Sequence, residues 1–508
     1  MHLLRRRARA SRHPWIAAAV VGLLACAAPS GLLFRPVPAS AQESAASART
    51  AKGLAFLDDG DFERALKEFD EAVKADPSSA PARAAQVKAC LEAGDPVRAL
   101  AAAKAGAAAC PSSGSVLAAL AAAHLASGEA ASARDAALKA TQAPGSPAHA
   151  FRTLAEALLA LDPAAIPAAD KVFADALAIR PMDAELLAEQ AAFLLNRNRA
   201  ADAEAPARRA AELAPLRDDF RVLVVRVLLR QGKNPEAREM ALAAAEMYST
   251  SAAVASIAGR TYEIVNEFAG GLPWFEKAAK LRPRRFEHQR NLGFVQAKVG
   301  QWKEAEATLR LAEKLSDRDI ETKMHLGWIL NKQARFAEAL AEYDLVLKLQ
   351  PDYLKALWYQ ADIHVLLGKQ KDAEKALGRI LALKPDHDEA MRLQAELAYK
   401  MGKGEETQKF LDQCLAVNPK NARALLLKGR LLNDLEDDEG TEKAFKDAVE
   451  ADPTDPWPWL YLAEFHDDVL QKPVDALKAY RKFLELGGPD PDGAVKKTVE
   501  NLAKETGM

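Results

Sequence analysis

Nine histidines and four cysteines are the side chains from which this chain would have to build a metal centre or a nucleophile. His124, His364 and His466 sit in segments too far apart to share an ion, and no two cysteines stand at the CxxC spacing of a zinc site or redox pair. The acidic run Glu436-Asp437-Asp438-Glu439 lacks the alternating ligands and the glycine of a calcium loop, and reads as a solvated turn. A phosphate-cradling glycine loop, a nucleophile elbow and an HExxH pattern are all missing. The expectation is therefore no catalytic residue, no metal and no cofactor. What remains are arginines and aromatics, the types most enriched where proteins bind one another. Their meaning depends on the elements that carry them.

Those elements repeat. Pro77, Pro111, Pro181, Pro215, Pro283, Pro351, Pro385, Pro419 and Pro453 stand 34 residues or a small multiple apart, apart from one gap with two extra residues. Gly145, Ser249 and Asp317 fill the empty slots. With each closing proline taken as position 32 of its unit, position 8 is small almost throughout. It holds Gly53, Val87, Ala121, Ala155, Ala191, Val225, Gly259, Gly293, Gly327, Ala361, Ala395, Gly429 and Ala463. Position 20 is Gly or Ala in all units but two, which carry Thr407 and Thr441. Position 24 is often bulky, as in Phe69, Phe173, Phe275, Leu309, Tyr343 and Phe445. Small residues let two helices cross closely, and the bulky one packs the resulting hairpin.

This pattern resembles the tetratricopeptide repeat, a helix–turn–helix unit of 34 residues. The resemblance covers nearly all of the chain after its N-terminal segment and implies an all-α solenoid, a right-handed superhelix of about 13 units. The array would run over residues 46–490, after a short linker at 42–45. A capping helix at 491–508 would carry Val495, Val499 and Leu502 at helical spacing. Two insertions, at Asp162–Pro167 and near Gln471-Lys472-Pro473, are expected in the turns between a unit's A and B helices.

The resemblance also implies a concave groove lined by the A helices, chiefly by positions 2, 5, 9 and 12, where other proteins or peptides bind. In units two to five these positions are mostly Ala and Leu. From unit seven they become Arg260 and Glu263, Arg290 and Phe294, Met324 and Trp328, Trp358 and Asp362, then Arg392, Glu396 and Tyr399, and Arg430 with Asn433. Of these, Arg260, Arg290, Phe294, Met324, Trp328, Trp358, Asp362, Arg392, Glu396, Tyr399 and Arg430 are the candidate partner-binding residues. Chaperone-tail-binding members carry Lys at position 5 and Asn at position 9, a pair found in no unit here. His124, His364 and His466 all fall at position 11, a packing position. Cys90 and Cys110 would stand about ten helical residues apart across their hairpin, or ~15 Å. A disulfide needs Cα atoms within about 7 Å, so free thiols are expected.

The first residues read as a targeting segment. Arg5, Arg6, Arg7, Arg9 and Arg12 precede an apolar run from Trp15 to Phe34, and Ala39-Ser40-Ala41 is a small-x-small cleavage pattern. Cleavage after Ala41 is the favoured reading. Two others stay open: a lipobox at Leu23-Leu24-Ala25-Cys26 with lipidation of Cys26, and an uncleaved anchor. All three predict an exported protein, periplasmic or envelope-associated, with the membrane near its N-terminal segment. Loss of residues 1–41 removes six arginines and no acidic residue, so 69 basic and 71 acidic residues become 63 and 71, a balance of −8. Such a body offers no general footprint for nucleic acid. The expected function is a non-catalytic protein-interaction scaffold of the bacterial cell envelope. The alternative is a self-assembling structural component of an envelope or secretion complex, pairing chains through the apolar A-helix faces of units two to five.

Overall fold

The computed structural model describes residues 41–507. Residues 1–40 of the predicted targeting segment, Cys26 included, lie outside them. Among the described residues there are 27 α-helices, one π-helical turn and no strand. Twenty-six of the helices pair as thirteen antiparallel hairpins.

Unit five shows how a hairpin is made. Its A helix, Ala184–Asn196, begins where the Asp183 carboxylate accepts the Leu186 amide at 3.0 Å, satisfying one of the donors left free at a helix start. Its B helix runs Ala200–Leu213. Between them Asn198 takes φ 60°, the left-handed conformation that lets a helix stop and its last carbonyls be reused. The same turn recurs in every unit but the fourth, on glycines such as Gly94 and Gly368 or on Asn266, Ala334, Glu436 and Gln471. Of the acidic run at 436–439, only Glu436 and Asp437 lie in the turn of unit twelve; Asp438 and Glu439 open its B helix, which Asp437 caps by accepting the Gly440 amide.

Inside the hairpins, positions 8 and 24 compensate each other in volume. A β-carbon placed on Gly53, Gly259, Gly327 or Gly429 would lie 2.6, 2.8, 2.5 or 2.4 Å from the ring of Phe69, Phe275, Tyr343 or Phe445 of the same unit. Where position 8 is Val87 or Val225, position 24 is Ala103 or Ala241, and all four are buried. Smallness alone does not define position 8. The constraint is instead on the sum of two facing side chains, because a close-packed interior has no spare space for both to be large.

Three local expectations change. Residues 42–45, read as a linker, are helical and belong to the first A helix, Ala41–Asp59. The extra residues of unit four are shared between its A helix, Ala148–Leu161, and the following turn. The insertion of unit thirteen is not taken up in the loop at Gln471–Pro473 alone: helix Pro456–Glu464 continues into a π-helical turn at Phe465–Val469, which absorbs the residue within the helix. The last helix, Ala494–Thr506, lays Val495, Val499 and Leu502 on the final hairpin beside Leu477 and Tyr480.

Successive A helices pack side by side and line the inner surface, with B helices outside. The resulting superhelix comes back on itself. The A–B turns of units one and two rest against the links before units eight and nine, 224 or so residues later. Arg282 holds the Asp58 carboxylate at 2.5 Å, Arg284 reaches Asp61 at 3.1 Å, and Arg285 reaches Glu92 at 3.3 Å. Arg285 also donates to the Asp58 carbonyl, and Arg318 to the Gly94 carbonyl. Gly60 is so close that a β-carbon there would lie 2.7 Å from the Arg284 carbonyl oxygen. One turn of the superhelix therefore sits on the next, and the first turn encloses its groove.

Candidate partner-binding groove

The groove changes chemistry along its length. Across units one to five a cavity of about 500 Å³ is walled by Leu54, Ala84, Ala85, Ala118, Ala119 and Ala122, the small apolar face foreseen for this half. Its polar rim is His149, Arg152 and Glu189. Arg152 bridges two units through Glu156 at 3.2 Å and Glu189 at 2.5 Å. Burial keeps the His149 imidazole below its usual pKa.

At units five to seven a second cavity, about 420 Å³, is lined by Arg226, Arg230 and Arg260 with Leu195, Asn196, Leu229, Ile257, Glu263 and Ile264. Of these arginines only Arg260 stands in the predicted set. A polar lining that starts at unit seven leaves out Arg226 and Arg230, although Arg226 sits at position 9 of unit six, a groove position legible in the sequence.

The second turn brings Phe294 and Trp328 together with Phe268 and Trp302. Phe294 meets Trp328 at 6.5 Å between ring centroids, and Trp328 meets Trp302 at 5.9 Å. The Lys298 ammonium stands over Phe268, Phe294 and Trp328, 4.7 Å from the last, so this aromatic face already holds a cation. His325, its ring tilted against Phe294 with centroids 4.7 Å apart, is held near pKa 4 by burial and is neutral at physiological pH.

The other candidates differ in how free they are. Met324 is only 5% exposed and belongs to the core, so it presents almost no surface to a partner. Arg290 is paired with Asp319 and Glu321, each at 3.0 Å. Arg392 is buried between Glu389 and Glu396, each at 2.8 Å. Trp358 is half-buried, packs on the core of units nine to eleven and meets Tyr359 edge-on at 5.0 Å. Asp362 is half-buried, and desolvation raises its carboxyl despite nearby Arg392. Tyr399 donates to Asp434 at 2.6 Å, and Arg430 lies over the rings of Tyr399 and Tyr461. These four line a third cavity of about 240 Å³ with Asn433 and Glu464.

Of the histidines at position 11, His124 is buried against Glu129 at 2.6 Å and His466 against Glu442 at 3.1 Å, whereas His364 is half-buried and its Nδ1 has no hydrogen-bond partner among the described residues. Cys90, Cys110 and Cys414 are free thiols, with Cys414 pushed up to about 12 by burial. A thiol so protonated is a packing group and not a nucleophile. Among the described residues no cluster of three His, Cys, Asp or Glu could hold a metal ion, and no helix is long and apolar enough to cross a membrane.

A family model described as a tetratricopeptide repeat matches residues 50–114, 325–388 and 392–456, which are units one and two, nine and ten, and eleven and twelve. These are tetratricopeptide repeats. Units three to eight, between those matches, form the same hairpins in unbroken series. Among solved structures the chain is similar to a tetratricopeptide repeat protein from Parabacteroides merdae, with 14% identity over 48% of this chain and 95% of that one and a TM-score of 0.43. It is also similar to yeast Tom70, with 13% identity, 92% and 96% coverage and a TM-score of 0.42. A third is a thermophilic tetratricopeptide protein from Thermus thermophilus, with 22% identity, 36% and 98% coverage and a TM-score of 0.32. Comparison with curated proteins gives no match. The tetratricopeptide-repeat fold is in general that of a protein-interaction scaffold without catalytic activity.

Proposed function

We propose that this tetratricopeptide protein is an exported scaffold of the bacterial cell envelope that catalyses nothing and binds partner proteins along its concave groove. The observation that carries the binding part is the groove itself. A continuous inner wall of A helices passes from an apolar cavity to a cationic one and then to an aromatic face, all held by packed hairpins. A pre-formed wall lowers the ordering cost of association, and many units supply area. The basic and apolar N-terminal residues with Ala39-Ser40-Ala41 support export.

The test is photo-crosslinking in the native cell. A photoreactive residue in place of Ala122 or Tyr399, both lining the groove, is expected to give discrete adducts with a protein partner. One in place of Lys375 or Lys409, exposed on B helices, is expected to give few. Equal labelling from both surfaces would sink the groove reading. Adducts with a second copy of the chain would favour self-assembly instead.

A further inference from the structure

Ion pairing is the rule for the arginines of this array. Arg152, Arg199, Arg208, Arg310 and Arg335 each reach two carboxylates. Arg226, Arg230 and Arg260 depart from it: they converge on one concave cavity, yet none has an ion pair or a side-chain hydrogen bond with any described residue. Arg226 and Arg260 occupy position 9 of consecutive units, and so stand next to each other along the groove. Arg230 follows Arg226 by one helical turn on the same face.

Their closeness has an electrostatic signature. Burial, with the charges of Arg230 and Arg260, pushes the Arg226 guanidinium below its ordinary pKa. Glu263 is the one carboxylate lining the cavity, and desolvation raises its carboxyl above the usual range. It therefore offsets the three cations only in part. Like charges gathered with so little counter-charge destabilise the free protein, whereas exposed planar guanidiniums on a concave wall are well suited to bind carboxylates bidentately. The walls between the arginines are Leu195, Leu229, Ile257 and Ile264, the last half exposed, and they would accept aliphatic side chains.

We propose that this cavity at units five to seven is a recognition site for an acidic segment of a partner protein, one that carries glutamate or aspartate carboxylates beside aliphatic residues. The proposal rests on the groove reading above and names the chemistry of one stretch of it. The three arginines hold the carboxylates, and the leucine and isoleucine walls take the neighbouring side chains.

The experiment measures binding of a labelled, C-terminally amidated peptide rich in glutamate with interspersed leucine to the full chain by fluorescence anisotropy. Saturable binding is expected, weakening with added salt. Arg226→Gln/Arg260→Gln should weaken it at least tenfold without lowering the thermal unfolding midpoint, because the change relieves repulsion. Glu263→Gln should tighten it. A peptide with glutamine in place of every glutamate should not bind. No binding to the wild type, equal binding of the glutamine peptide, or equal binding by the double variant would each overturn the site. So would competition by inorganic phosphate as effective as the unlabelled peptide, which would mark a simple anion site. Failure here, with groove crosslinks at Ala122 and Tyr399 intact, would remove this site and leave the groove reading standing.

Discussion

Gly327→Val is expected to lower the thermal unfolding midpoint of the array, and Tyr343→Ala in the same chain to cost far less than it does alone. The reason is steric and local. A β-carbon at Gly327 would stand 2.5 Å from the Tyr343 ring, well inside contact distance. Tyr343 cannot step aside: it is fully buried and stacked on Tyr359, with centroids 5.2 Å apart and planes 5° from parallel. Overpacking of this kind costs about 1–3 kcal/mol. Truncating the ring alone leaves a cavity and costs about 3–5 kcal/mol. The double variant recreates the pairing present in Val87/Ala103 and Val225/Ala241, so the two effects should couple by about 0.5–3 kcal/mol in a double-mutant cycle. Strict additivity would show that positions 8 and 24 do not share one space. Each unit contacts mainly its neighbours, so hydrogen-exchange protection should fall in units nine and ten first.

The second large effect concerns shape. Arg282→Glu/Arg285→Glu places like charges against Asp58 and Glu92 where the first turn rests on the second. Each exposed ion pair contributes only about 0–1 kcal/mol, but several act across one contact. Asp61 adds to them, because it is 5% exposed and also caps its own B helix by accepting the Arg64 amide. The variant is expected to scatter X-rays as a longer particle than the wild type at about 0.15 M salt, with its helical circular dichroism unchanged. Raising salt toward 1 M, where the screening length falls to about 3 Å, should stretch the wild type in the same direction. An unchanged radius of gyration under both treatments would mean that these pairs do not close the turn.

Local and periodic features of this fold were legible in the sequence, and distant ones were not. The 34-residue spacing and the small residues at positions 8 and 20 reflect contacts within one unit, so each leaves a mark at a fixed offset. The return of unit one onto unit eight leaves none. Arg282, Arg284 and Arg285 are visible as a basic cluster, but nothing in their neighbourhood points to Asp58 more than two hundred residues away. The groove candidates show the same divide. Periodicity predicts which residues face inward, as for Arg260, Arg290 and Arg392, but does not tell whether the charge is already used. Arg290 and Arg392 are paired within the array, Met324 is sunk into the core, and Arg260 is left open together with Arg226 and Arg230. The π-helical turn at Phe465–Val469 had only a one-residue excess as its signal, which a longer loop would have explained equally well.

Everything proposed for the groove depends on hairpins that stack and coil until units seven apart meet. Zero-length carbodiimide coupling of the Arg282→Lys chain tests this most directly, since it joins a carboxylate to an amine only where the two touch. An intramolecular link between Asp58 and the side chain at 282 is expected, recovered from monomeric protein by mass spectrometry. Absence of that link from the monomer, or its recovery only from a dimer, would contradict the closed superhelix.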